Sequence, residues 1–324
     1  MAGNAGLNRA MKAKKDEFYT QLVDIENEVR HYTAHFRGKT VLCNCDDPRI
    51  SNFFHYFARN FERLGLRRLI SICYKNQEPD LFSMNQSEQA IWLEYFGDRN
   101  GNRVPDPEEI GIRELKGDGD FRSAECIELL KQADIVVTNP PFSLFREFVA
   151  QLFEYQKQFL IIGNVNAISY KNIFEQIQAN RLWLGKSIHS GDREFEVPAT
   201  YPLNAAGCRE TADGKRFIKV KGVRWFTNLD YAERHEDLVL YETYSPEKYP
   251  TYDNYAAINV NKTAEIPMDY NGIMGVPITF LDKYNPDQFE IVGLDRYVAD
   301  NPAYGHRFTI DGKETYARIL IRRK

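Results

Sequence analysis

The sequence predicts an α/β protein: a doubly wound, mainly parallel sheet followed by a smaller β-rich region. Three observations carry the expectation. Short apolar runs alternate with stretches whose apolar residues recur at helical spacing, and this rhythm persists to about residue 180. The runs are bounded by Gly, Pro, Asn and Asp, the residues that end strands and helices. Beyond "RLWLG" the rhythm gives way to turn-rich sequence with isolated strand patterns.

The elements follow in order. In "IENEVRHYTAHFRG", Ile25, Val29, Tyr32 and Phe36 keep helical spacing and Gly38 supplies a stop. "TVLCNC" (40–45) reads as a buried strand, and "ISNFFHYFARNFERLG" as a helix carried by Phe53, Phe57 and Phe61 and ended at Gly65. "LISICY" (69–74) is a second strand, after which the polar stretch 75–109 reads as an excursion between elements. "GIREL" is expected to be the third strand, "SAECIELLKQ" a helix and "DIVVTN" the fourth strand. "SLFREFVAQLFEYQ" then places Leu144, Phe148 and Leu152 on one helical face, "FLIIGN" (159–164) gives a fifth strand and "YKNIFEQIQAN" another helix. "GVRWFTNL" is expected to close a first domain, residues 1–230. A second region, residues 231–324, would hold the strand patterns "VPITFL", "FEIVGL" and "ARILIRR".

With 42 basic residues against 46 acidic ones the net charge is -4, so composition alone does not point to nucleic acid and any basic surface must be local. The cysteines Cys43, Cys45, Cys73, Cys126 and Cys208 are odd in number and follow no secretory leader, which favours reduced thiols in a cytoplasmic protein over a disulfide framework. "CNC" lacks the spacing of a metal site, and no matching Cys/His pair occurs elsewhere. No apolar run has the length needed to cross a bilayer.

The chemistry concentrates in "DIVVTNPPFSLFREF". Proline fixes its own backbone and restricts the residue before it, so Asn139 and Pro140 are both held extended at a strand's end. In a doubly wound sheet ligands sit beyond the carboxyl ends of the strands. There the Asn139 amide oxygen and the Pro140 carbonyl are suited to accept hydrogen bonds from one exocyclic amine, with Phe142 stacking on the ring that bears it. The bland alternative is a strand-ending turn, for which Asn and Pro are ordinary residues.

Asn139, Pro140, Pro141 and Phe142 also resemble the signature of the S-adenosylmethionine-dependent amino-methyltransferases that act on DNA. The likeness extends over nearly the whole chain: "KKDEFYTQ", "VLCNCDDPRISNFF", "GDGDFRS", "FLIIGNVNAISY", "WFTNLD" and "GIMGVPITFLDKYNPDQFE" resemble the EcoRI-type adenine-specific DNA methyltransferases. The resemblance implies a Rossmann-like methyltransferase sheet in residues 1–230, a target-recognition region in 231–324, S-adenosylmethionine as cofactor and double-stranded DNA as substrate. It also implies pairing with a restriction endonuclease, and a monomer that modifies the two strands of its target in separate encounters.

The same likeness implies cofactor contacts at Tyr19 and Thr20, at Asn44, Cys45, Asp46 and Asp47 after the first strand, and at Asp118 or Asp120 with Phe121, with Asn139 shared between cofactor and target. One departure stands out. Where such enzymes commonly carry a glycine-rich loop, this chain has "CNCDDP". Its carboxylates still suit a ligand that bears an ammonium and a sulfonium. No acid directly follows the second strand, where nucleotide-binding folds of this kind usually bind ribose.

Asparagine at the head of the signature favours adenine over the N4-cytosine alternative. A catalytically inactive DNA-binding module is suggested only by the unusual "CNCDDP" loop, and methylation of RNA or protein only by the shared Asn-Pro-Pro. For DNA contacts the sequence offers Lys12, Lys14 and Lys15, "NVNKT", and the stretch from Arg318 to Lys324.

Overall fold

The computed structural model describes residues 20–45, 51–73, 90–102, 105, 109–197, 208–298 and 305–324. The chain forms two compact units: the described residues up to Val165 with Ser190–Leu229, and Asn166–His189 with Asp230–Lys324. The helix at "YKNIFEQIQAN", Lys171–Gln178, falls within the first 230 residues but belongs to the second unit, where the Gln178 amide donates to the Val292 carbonyl at 2.7 Å.

The first unit is organised by strands β1 (Thr40–Cys43), β2 (Arg68–Cys73), β3 (Ile91–Tyr95), β4 (Gly111–Glu114), β5 (Ile135–Thr138) and β6 (Gln158–Asn164), with Val223–Thr227 beside β6. Their order across the sheet is β4-β3-β2-β1-β5-β6 and then Val223–Thr227. The pairs β1–β2, β1–β5 and β5–β6 are parallel. The pairs β2–β3 and β3–β4, and that of β6 with Val223–Thr227, are antiparallel. "Mainly parallel" is therefore corrected to a mixed sheet, parallel at its centre and antiparallel on both flanks.

The strand β3 lies inside the stretch taken as an excursion, so "DIVVTN" supplies the fifth strand rather than the fourth. Glu94 explains the miss. It is a buried carboxylate in the middle of β3, paired with Arg68 and with Arg113 at 2.8 Å, and such an acid interrupts the apolar pattern that marks a strand.

The chain runs from β1 to β2 on one side and resumes on the other side with β5, so the strand order reverses between β1 and β5. That reversal opens a crevice at the carboxyl ends of these two strands.

Helices cover the sheet with the faces their spacing predicts. Leu22–Val29 continues through short turns to Phe36, and Ile25, Val29, Tyr32 and Phe36 are fully buried. Asn52–Arg59 and Phe61–Leu64 bury Phe53, Phe57 and Phe61 and end at Gly65, whose φ of 64° no side chain opposes. Phe145–Glu154 buries Phe145, Phe148, Val149 and Leu152, each such side chain contributing about 1.5–3 kcal/mol. It lies close on β6 because Gly163 has no side chain: a Cβ there would stand 2.5 Å from the Phe145 ring and 2.9 Å from that of Phe226.

The second unit is β-rich, with a five-stranded sheet ordered Thr251–Tyr252, Tyr255–Asn259, Met274–Pro277, Arg318–Arg323 and Phe289–Leu294. "VPITFL" contributes only the end of one strand; from Ile278 to Lys283 it coils as a 3-10 helix. Tyr252, Ala257, Phe308 and Leu320 form part of its core. Among the described residues no helix is long and apolar enough to cross a membrane.

Candidate active site

The corner after β5 begins from a wholly buried strand, Ile135–Thr138. Thr138 Oγ1 donates to the Asn44 carbonyl, tying the end of β5 to the end of β1. Asn139 is 7% exposed and Pro140 is buried. Pro141 is extended, with φ -54° and ψ 124°, and its carbonyl accepts from the Leu144 N–H at 2.9 Å, closing a 3-10 turn over Phe142–Leu144. The two prolines bring no N–H that the strand end would have to satisfy. Phe145 and Phe148 fill the core beneath the corner, while Phe142 stays half-buried.

The turn after β1 meets this corner at the same sheet edge. Asn44 is 6% exposed, and its Oδ1 is buried and receives no hydrogen bond from the protein. Cys45 has φ 78°, the left-handed conformation that glycine usually supplies. The turn geometry is therefore present without the glycine. Asp46 and Asp47 lie outside the described residues, as do Tyr19 and the stretch directly after Cys73 in which a ribose contact would fall.

Thr20 is 2% exposed, with Oγ1 buried and receiving no partner, and its carbonyl accepts from Asn52 Nδ2 at 2.8 Å. Asn52 thereby docks the start of the described chain onto the helix that follows the β1 loop. Buried polar oxygens left unbonded cost about 1–3 kcal/mol each, and Asn44 Oδ1 and Thr20 Oγ1 are two such atoms.

In "GDGDFRS", Gly119 takes φ 80° and Asp118 Oδ1 accepts from the Asp120 N–H at 3.0 Å. Arg122 clamps Asp120 with both ends of its guanidinium, Nε to Oδ1 at 2.9 Å and Nη2 to Oδ2 at 2.7 Å, and reaches Glu147 at 2.8 Å. The hydrogen bonds it donates to Asp120 hold the guanidinium above its ordinary pKa. Both oxygens of Asp120 are thus already engaged. Phe121 is 7% exposed and packs edge-on against Phe148, centroids 5.0 Å apart at 75°. Its carbonyl accepts from Gln151 Nε2 at 3.0 Å. Asn52, Arg122 and Gln151 were not singled out from sequence, because a lone polar residue beside an apolar stripe carries no pattern.

In the basic C-terminal stretch four side chains find partners within the second unit, and the first of them is buried. Arg318 is 7% exposed and donates to Asn259 Oδ1 at 3.0 Å; Arg322 faces Glu290 at 3.6 Å; Arg323 donates to the Met268 carbonyl; Lys324 donates to the Pro286 carbonyl at 2.5 Å. The expectation that Arg318 meets DNA is corrected: Arg318–Arg323 is an inner strand of the sheet, and its first guanidinium is a buried structural group. Lys12, Lys14 and Lys15 lie outside the described residues.

From residue 6 to residue 324 the chain matches the family described as adenine-specific methyltransferase EcoRI. The chain belongs to that family. It is 50% identical to the Type II methyltransferase M.EcoRI of Escherichia coli over 100% of this chain and 98% of that one. M.MgeORF184P of Mycoplasma genitalium is 41% identical and M.MpnI of Mycoplasma pneumoniae 39%, each over 98% of both chains. No solved structure matches. As a member of the EcoRI adenine-specific methyltransferase family, the protein is a methyltransferase with adenine as its target, in agreement with what the Asn139 signature implied.

Proposed function

We propose that the protein transfers a methyl group from S-adenosylmethionine to N6 of an adenine flipped out of a specific double-stranded DNA sequence. The observation that carries the proposal is the pairing of two turns at one sheet edge: the stiff Asn139–Pro140 corner, and beside it the Asn44 turn with a buried oxygen the protein leaves unbonded. When bound, the cofactor supplies an electrophilic methyl on a sulfonium. Asn139 Oδ1 and the Pro140 carbonyl accept from the adenine amine and turn its lone pair outward; Phe142, half-buried at the corner, stacks on the base. Amide and carbonyl acceptors orient the amine and favour charge developing on nitrogen, so positioning and electrostatics carry the rate.

Thr20, Asn44 and the left-handed backbone at Cys45 line the cofactor side, with Tyr19, Asp46 and Asp47 in the roles the family resemblance implies. Of the two aspartates in "GDGDF", Asp118 suits the cofactor's adenine amine better, because Asp120 is held at both oxygens by Arg122. Phe121 offers its backbone and ring edge rather than a stacking face, given its packing on Phe148. The enzyme would act as a cytoplasmic monomer, and the Type II designation of its relatives supports a restriction endonuclease of the same specificity as functional partner.

The test is direct. DNA incubated with the protein and S-adenosylmethionine, digested to nucleosides and weighed, is expected to contain N6-methyl-2′-deoxyadenosine. N4-methylcytosine, or no methylated base at all, would reject the proposal.

A further inference from the structure

We propose that Gln151 is a positioning residue that fixes the height of the "GDGDF" loop against the helix leading out of the Asn-Pro-Pro-Phe corner, and so ties cofactor binding to the target-base site. The inference rests on the proposed placement of the cofactor along residues 118–121.

Gln151 is an anomaly on its helix. It sits among Phe145, Phe148, Val149 and Leu152 on the buried face of Phe145–Glu154 and is only 9% exposed. A buried amide costs stability unless bonded, and a leucine or methionine would fill the same space without that cost. The donor is accounted for by one partner: Nε2 reaches the Phe121 carbonyl at 3.0 Å. Phe148, three residues earlier and on the same face, carries the ring that meets the ring of Phe121. Glu147, four residues earlier, takes the free arm of Arg122.

The helix therefore grips Phe121 and Arg122 at three points. The Arg122–Glu147 pair is half-exposed on both sides and contributes little. The ring contact has no strong preference for height along the helix. Gln151 is the buried and directional grip, and it acts on the backbone of Phe121, directly after the Asp118–Asp120 segment. A loop without it must be ordered by the ligand, which lowers ligand affinity while leaving the reacting corner intact. Linkage makes any coupling reciprocal, so the factor by which cofactor enhances base capture equals the factor by which a captured base tightens cofactor binding.

The full-length protein and two variants test this, with S-adenosylmethionine binding read by calorimetry and base capture by 2-aminopurine fluorescence in a target duplex. Gln151→Met is expected to weaken cofactor binding about tenfold, with kcat at saturating cofactor within about twofold of wild type. Gln151→Glu is expected to bind weakly near neutral pH, where its carboxylate faces the Phe121 carbonyl. It should recover relative to wild type as pH falls, because the neutral acid donates an O–H in place of the amide and burial raises its pKa. Wild-type affinity in Gln151→Met overturns the inference. If that variant does not fold, a Gln151→Glu profile parallel to wild type across pH overturns it instead. Asp118→Ala separates the two levels: weakened cofactor binding there, with Gln151→Met unchanged, sinks this inference and leaves the site in place, whereas no change in either sinks both.

Discussion

The two turns at the carboxyl ends of β1 and β5 lie side by side and are stitched together by Thr138 and Asn44, yet they are made rigid by opposite means. The β5 corner uses proline, which removes freedom that a chain would otherwise have. The β1 turn uses a cysteine at φ 78°, a conformation that side chains resist and that the surrounding fold must impose. A constrained backbone at these two strand ends is therefore reached with two different residue types. A turn that lacks the expected glycine still reaches the geometry, with an intrinsic strain the proline corner does not carry.

Four measurements sharpen or break that contrast, from the largest effect down. Asn139→Ala is expected to lower kcat, measured at saturating cofactor, by about a hundred- to a thousandfold, the usual scale for losing one placed polar group. Near-normal turnover would show that the β5 corner is rigid for some other reason. Phe142→Ala is expected to weaken capture of the flipped base by about 1–3 kcal/mol, seen as reduced 2-aminopurine fluorescence.

At the β1 turn, Cys45→Val is expected to cost about 1–3 kcal/mol of stability in denaturant titration, since a β-branched residue tolerates positive φ poorly. Cys45→Gly should shift stability by less than about 1 kcal/mol, strain relief offsetting the entropy glycine loses on folding. Equal stability of the two variants would mean that the turn is not left-handed in solution. The smallest effect is in thiol labelling. Burial pushes the Cys126 thiol up to about 11, so near pH 8 it carries little thiolate and is shielded as well. Half-buried Cys45 and Cys208 are expected to label before it, Cys45 more slowly with S-adenosylmethionine present.

What the sequence disclosed follows from how densely each feature was written. β1, β2, β5 and β6 are continuous apolar runs, and the helix faces through Val29, Phe57 and Phe148 repeat at full spacing, so both were legible. β3 was not, because Glu94 is neutralised by Arg68 and Arg113 from the neighbouring strands, partners that only the folded sheet supplies. The Asn139 corner could be read because two prolines constrain backbone wherever they stand. Asn52, Arg122 and Gln151 could not, since each acts on a carbonyl or carboxylate remote from a pattern of its own. Within the C-terminal basic stretch Arg318 misled for the converse reason: charge is visible in sequence, whereas the buried Asn259 oxygen that holds its guanidinium is not.

The outermost strand of the large sheet, Gly111–Glu114, leaves all 4 of its residues exposed, and Ile112 among them is 60% bare. Such a rim invites a second molecule to zip onto it, and Arg113, laid over the Trp92 ring at 4.9 Å, is the charge that discourages the embrace. Replacing it with valine would leave two adjacent β-branched residues on an unguarded margin, and concentrated stocks of that variant should turn cloudy on standing while the parent stays clear.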